Sequence, residues 1–163
     1  MNSTDDISMA DYQALAEIRY QIRRFLHFSE QAARSTGLVP QQHQFLLALK
    51  GLPKGRRATI SELAERLQIK HHSTVELIDR LVERGLIQRS RDDPDQRRVI
   101  ISLTPRGEQI LQDLSLLHRK ELQSAGPVLV RALRVLIASN DDTPEVSGDR
   151  TNESHERLGG SST

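Results

Sequence analysis

His72, Ser73, Glu76 and Arg80 carry the side chains best suited to chemistry in this chain. Spacings of one, three and four place them together on one side of a helix. Val75, Ile78, Leu81 and Val82 fall on the other side and are expected to pack inward. The polar set suits the edges and phosphates of a nucleic-acid duplex. Ser73 and its neighbour Thr74 can bond phosphates or bases, His72 can donate to guanine, and Glu76 can accept from cytosine N4. Two plainer readings compete. Glu76 and Arg80 are also spaced for an i,i+4 ion pair worth about 0.2–0.5 kcal/mol, which is the favoured role for Glu76, and the whole face can be simply solvated. His72 with Glu76 offers two metal ligands, too few to close a zinc site, so no metal is expected.

A second basic cluster follows. Arg91, Arg97 and Arg98 flank the run DDPDQ. An arginine at the tip of such a hairpin gains from the negative potential of a narrow minor groove. Asp92, Asp93 and Asp95 nearly cancel these charges, so a self-neutralised hairpin is the competing reading. Lys54, Arg56 and Arg57 precede the cluster in a Gly- and Pro-containing loop, where phosphate contact and plain solvation are equal readings. Ser61 is a helix-cap candidate that can also reach a phosphate.

These groups need a scaffold, and the apolar spacing supplies one. Leu15, Ile18, Ile22, Phe25 and Leu26 form a helical stripe over residues 11–34. Residues 1–10 are polar and expected to be loose. Gly37 ends the first helix and Pro40 opens a second, which carries Phe45, Leu46 and Leu49 on one face. Thr59 or Ser61 caps a short helix ending near Leu67, with Thr59 and Glu62 at capping-box spacing. Gln68, Ile69 and Lys70 make a turn, and the next helix runs from His71 or His72 to Gly85 at its C-terminal cap. Residues 86–89 and 98–103 read as two strands. Thr104 and Pro105 start a long helix with Ile110, Leu111, Leu114 and Leu117 as its stripe. Gly126 and Pro127 are expected to break it near residue 125, leaving a last short helix over 128–138. The expected fold class is therefore mainly α with a small β-wing, a winged helix-turn-helix flanked by N- and C-terminal helices. The outer helices carry more apolar surface than so small a module can cover, so a homodimer is expected, with folding back onto the module as the alternative.

The run SELAERLQIKHHSTVELIDRLVERGLIQR followed by DPDQRRVIISLTPRG resembles the MarR family of bacterial transcription regulators. The resemblance covers residues 11–138, with the winged helix-turn-helix over about 40–103 and dimerisation helices over about 11–34 and 105–138. It implies a homodimer that binds a palindromic promoter site on double-stranded DNA. It implies most often a repressor, released by a small aromatic or phenolic ligand bound between the dimerisation and DNA-binding regions. It assigns the minor groove to Arg97, with Asp95 supporting the wing. Phe25, Phe28, His43 and Phe45 come from the regions expected to line a ligand pocket, and His43 can bond an anionic ligand or titrate near neutrality. Two positions depart from the pattern. Gln68 stands where glycine is common in the turn, and Glu76 where arginine or another polar residue is common on the reading face.

Composition bounds the alternatives. The chain has 163 residues and no cysteine, which excludes disulfides and thiol chemistry. Its net charge of +1 hides an asymmetry: residues 139–163 hold six carboxylates and two arginines, leaving 21 basic and 16 acidic residues before them. A basic body with an acidic, sparsely apolar tail suits a polyanionic partner, and the tail is expected to be disordered. No apolar run is long enough for a membrane span, and the opening MNSTDDISMADYQ has no signal-peptide core, so a soluble cytoplasmic protein is the expectation. No Ser-His-Asp arrangement, Gly-rich phosphate loop or clustered carboxylates predict an enzyme, and no cofactor is expected. The alternative function is a winged-helix protein-interaction module that does not bind DNA specifically.

Overall fold

The computed structural model describes residues 6–91 and 99–138. Five helices and one hairpin follow in the order α1 (Met9–Ser35), α2 (Pro40–Lys50), α3 (Ile60–Leu67), α4 (His71–Glu83), β1 (Ile87–Ser90), β2 (Ile100–Leu103) and α5 (Pro105–Ala138). The wing residues Asp95, Arg97 and Arg98, and the acidic tail, lie outside the described residues.

Local chemistry sets most boundaries. α1 begins earlier than its apolar stripe suggests, because Ser8 and Asp11 form a reciprocal capping box. The Asp11 N–H donates to Ser8 Oγ at 3.1 Å and the Ser8 N–H to the Asp11 carboxylate at 2.9 Å. Part of the segment expected to be loose is therefore helix. Thr59, rather than Ser61, caps α3, its hydroxyl accepting from the Glu62 N–H at 3.3 Å. Gln68 closes α3 in the left-handed region at φ 53°. That conformation is costly for any residue with a Cβ, and the side chain offsets part of the cost by donating to the Glu65 carbonyl at 2.7 Å.

One expectation fails. α5 does not break at Gly126-Pro127 but continues through Pro127 to Ala138. Proline removes a single intrahelical bond, and α5 lies along α1, so tertiary packing holds the helix through the defect.

The core lies where the short helices meet the start of α5. Phe45 and Leu46 of α2, Leu63 of α3, Ile78 and Leu81 of α4, and Leu114 of α5 are all fully buried there. β1 and β2 pair antiparallel, from Ile87 opposite Leu103 to Ser90 opposite Ile100. Gly107 brings the first turn of α5 hard against the chain entering β1. A Cβ at that position would lie 2.0 Å from the Leu86 carbonyl oxygen.

The outer helices keep an apolar face in solvent. Tyr12, Leu15, Ile22 and Leu26 of α1 and Leu122, Val130, Leu133 and Ile137 of α5 are all exposed.

Candidate nucleic-acid interface and adjoining cavity

α4 separates its residues sharply. Thr74, Leu77, Ile78 and Leu81 are buried, while His71, His72, Glu76, Asp79 and Arg80 are exposed and Ser73 is half-buried. His72, Ser73, Glu76 and Arg80 therefore share the outward side, as their spacing predicts. Glu76 and Arg80 approach to 4.0 Å with both side chains about two-thirds exposed, so their pairing leaves both free to exchange partners. Arg91 is exposed beyond β1, and Ser61 is exposed on the first turn of α3.

Thr74 requires a correction. It is fully buried, and its hydroxyl donates to the Lys70 carbonyl at 3.1 Å. A threonine can face inward when a backbone acceptor one turn back satisfies it, so it is not a surface contact. The inward set also differs in detail: Leu77 is buried, whereas Val75 and Val82 are half-buried. In the loop before α3, Lys54 is exposed, while Arg56 pairs with Glu62 at 3.3 Å. Glu62 also holds Arg66 at 2.8 Å. Arg89 of β1 pairs with Asp79 of α4, fixing the wing to the helix.

A cavity of about 450 Å³ lies between α1, α2 and α5. Phe25, His43, Leu47, Ser115, His118, Arg119, Leu122 and Gln123 line it. A second space of about 360 Å³ adjoins it at Leu47 and Ser115. Two of the four pocket residues expected from sequence are placed as expected, Phe25 and His43. Phe45 is not; it is fully buried in the core. Phe28 stands behind the cavity, edge-on to the His118 ring with centroids 5.5 Å apart.

His118 organises this region. Its Nδ1 lies 2.6 Å from the Leu114 carbonyl and its Nε2 2.8 Å from Ser29 Oγ. A carbonyl only accepts, so Nδ1 carries a proton and donates to Leu114, while Nε2 and the Ser29 hydroxyl share the second hydrogen bond. The His43 ring faces His118 and is only 3 % exposed. Burial, and then repulsion from His118, lower the His43 pKa to about 4, so it is neutral at physiological pH. Among the described residues its ring makes no hydrogen bond. The pocket residues expected from sequence include none from α5, so they leave His118 out of the cavity wall. The signal was its position four residues after Leu114, on the same face.

A short helix, a turn, a second helix with an outward polar face and a two-stranded hairpin define a winged helix-turn-helix. A sequence model of the MarR family matches residues 36–98. The HTH-type transcriptional regulator YsmB of Bacillus subtilis (strain 168) is 30% identical over 104 residues, covering 61% of this chain and 69% of that one. The HTH-type transcriptional repressor MdtR of the same organism is 30% identical over 108 residues, 66% of each chain. A Staphylococcus aureus MepR variant bound to an oligodeoxyribonucleotide superposes with a TM-score of 0.60 at 19% identity, covering 82% of this chain and 99% of that one. The chain belongs to the MarR family, whose members are transcriptional regulators and not enzymes. Among the described residues, no helix is long and apolar enough to cross a membrane.

Proposed function

We propose that the protein is a homodimeric, sequence-specific DNA-binding repressor that a small molecule releases from a palindromic promoter site. The observation that carries this reading is the outward polar face of α4. In a helix-turn-helix the N-terminal part of the second helix meets base edges. His72 and Ser73 stand there, with Glu76 and Arg80 one and two turns further along. Arg80, Arg91 and the wing arginines Arg97 and Arg98 supply phosphate and groove contacts, with Asp95 supporting the wing. Ser61 meets a phosphate from α3. The DNA-bound MepR variant, which shares the fold, supports a duplex as the partner, and the repressor relative MdtR supports the sign of regulation.

The exposed apolar residues of α1 and α5 support self-association. A second copy would cover Leu15, Ile22 and Leu26 against Leu133 and Ile137. The cavity supports ligand control. Phe25, Leu47 and Leu122 give it apolar walls, His43 offers an unused hydrogen-bonding edge, and Arg119 offers a cation. An aromatic ring bearing polar substituents fits those walls. The compartment consistent with this activity is the cytoplasm.

Fluorescence anisotropy tests the reading, using the duplex immediately upstream of the protein's own gene and a scrambled duplex across a salt series. Selective nanomolar binding that weakens with salt is the expected result. Equal weak binding to both duplexes would replace it with a protein-interaction role.

A further inference from the structure

We propose that Arg84 is a positioning residue that couples the cavity to α4, so that filling the cavity is felt at the DNA-facing helix through one guanidinium. This rests on the regulator reading above and specifies its regulation.

Arg84 caps the C-terminal end of α4. Its Nη1 donates across the fold to the Gly37 carbonyl at 2.8 Å and to Gln42 Oε1 at 2.9 Å. Gln42 Oε1 also accepts from the Val39 N–H at 3.2 Å, so both its acceptor positions are used and the amide cannot turn. Gln42 is buried, and the next residue of α2 is His43, part of the cavity wall.

The backbone at the same point is tied to the opposite wall. The Arg84 carbonyl accepts from Arg106 Nη1 at 3.3 Å, and the Gly85 carbonyl accepts from Thr104 Oγ1 at 2.7 Å. Arg106 lies in the first turn of α5, the helix that places Ser115 and His118 in the cavity. Residues 84 and 85 are thus joined to both α2 and α5 by polar bonds. Such bonds are directional and weaken steeply with misalignment. The apolar contacts under α4 are not directional. A shift of α2 that accommodates an occupant must therefore strain or move Arg84, and with it the end of α4.

The test needs no identified ligand, because Ser115→Phe places a ring in the cavity. Affinity for the upstream duplex is measured for the native chain and for Ser115→Phe, each with and without Arg84→Met. We expect Ser115→Phe to change affinity about tenfold in the native chain and less than about twofold beside Arg84→Met, within the usual range of allosteric coupling. Gln42→Glu keeps an acceptor oxygen facing both Arg84 and the Val39 N–H and should preserve the tenfold effect. A purely structural Arg84 would lower both affinities by one factor and leave their ratio intact, and that result overturns the proposal. So does a Ser115→Phe variant that binds like the native chain. If Arg84→Met does not fold, Arg84→Lys replaces the fork with a point charge and should reduce the ratio to an intermediate value; an undiminished ratio overturns the proposal. If the native chain shows no selectivity for the upstream duplex, the regulator reading falls, and amide hydrogen exchange decides the coupling. Protection in α4 that changes with Ser115→Phe in the native chain, but not beside Arg84→Met, supports it; equal changes in both overturn it.

Discussion

His43 and His118 face each other with ring centroids 4.7 Å apart and planes tilted by 40°. They reach this contact from different helices, α2 and α5. Only His118 has both ring nitrogens engaged, by Leu114 and Ser29. The pair is therefore asymmetric: one ring is held by hydrogen bonds, and the other lines the cavity with no hydrogen bond among the described residues.

This asymmetry predicts a pH dependence of stability. The folded protein holds the His43 pKa at about 4, below its ordinary value of 6.5. Above pH 6.5 the ring is neutral in both folded and unfolded chains and contributes nothing. As pH falls from 6.5 towards 4 the unfolded chain binds a proton that the folded chain refuses, so stability is lost across that window. His43→Leu should remove this contribution, on the order of 3 kcal/mol at pH 4 and none at pH 7.5. Urea unfolding of both proteins across this range checks it; parallel curves would contradict it.

Gly107 is irreplaceable on steric grounds. A Cβ 2.0 Å from the Leu86 oxygen meets backbone, which has no rotamer with which to yield. Gly107→Ala should destabilise the fold by about 2–4 kcal/mol, at or above the usual range for overpacking. The urea midpoint measures this, and a loss under 1 kcal/mol would mean that the α5 junction relaxes freely.

Gln68 should be improvable. Its left-handed backbone favours glycine, while its side-chain bond to Glu65 is exposed to competing water. Gln68→Gly is expected to stabilise the protein by roughly 0.5–1 kcal/mol, the balance of relieved strain against greater unfolded-chain entropy and the lost bond. Lower thermal stability in the variant would show that the capping bond outweighs the strain.

Adjacent residues of α4 should respond oppositely to substitution. Thr74→Val leaves the Lys70 carbonyl with one partner fewer but exposes nothing new, so it should cost about 1 kcal/mol of stability and leave duplex affinity unchanged. Ser73→Ala should leave stability nearly unchanged and weaken duplex binding several-fold. Anisotropy and urea unfolding on the same two proteins separate the roles, and a Thr74→Val variant that binds weakly while fully folded would reverse the assignment.

The parts of this fold legible in sequence were those set by local chemistry. Thr104-Pro105 and Gly85 mark helix ends, and Thr59 or Ser61 the start of α3, because a cap acts within one turn; the family resemblance places Gln68 where glycine is common, and the structure puts it in the left-handed region. What was not legible depends on distant partners. Pro127 signals a break, yet packing along α1 carries the helix through it. Thr74 looks like a surface donor until the Lys70 carbonyl is seen to satisfy it. Phe45 fits a ligand wall by composition, and only the positions of Leu63, Ile78 and Leu114 show that it fills the core.

The contact between Gly107 and Leu86 has a mechanical consequence. α5 has 34 residues, and at 1.5 Å per residue it is about 51 Å long. A tilt of about 5° at its first turn would sweep the far end through about 4 Å at that length. Gly107 is the fulcrum of this lever, and its missing side chain lets backbone bear on backbone with no compressible layer between. Were the chain to act as the proposed dimer, with reading helices matching half-sites about 34 Å apart along the duplex, the absence of slack at that fulcrum would let small movements at one end of the molecule set the gauge at the other.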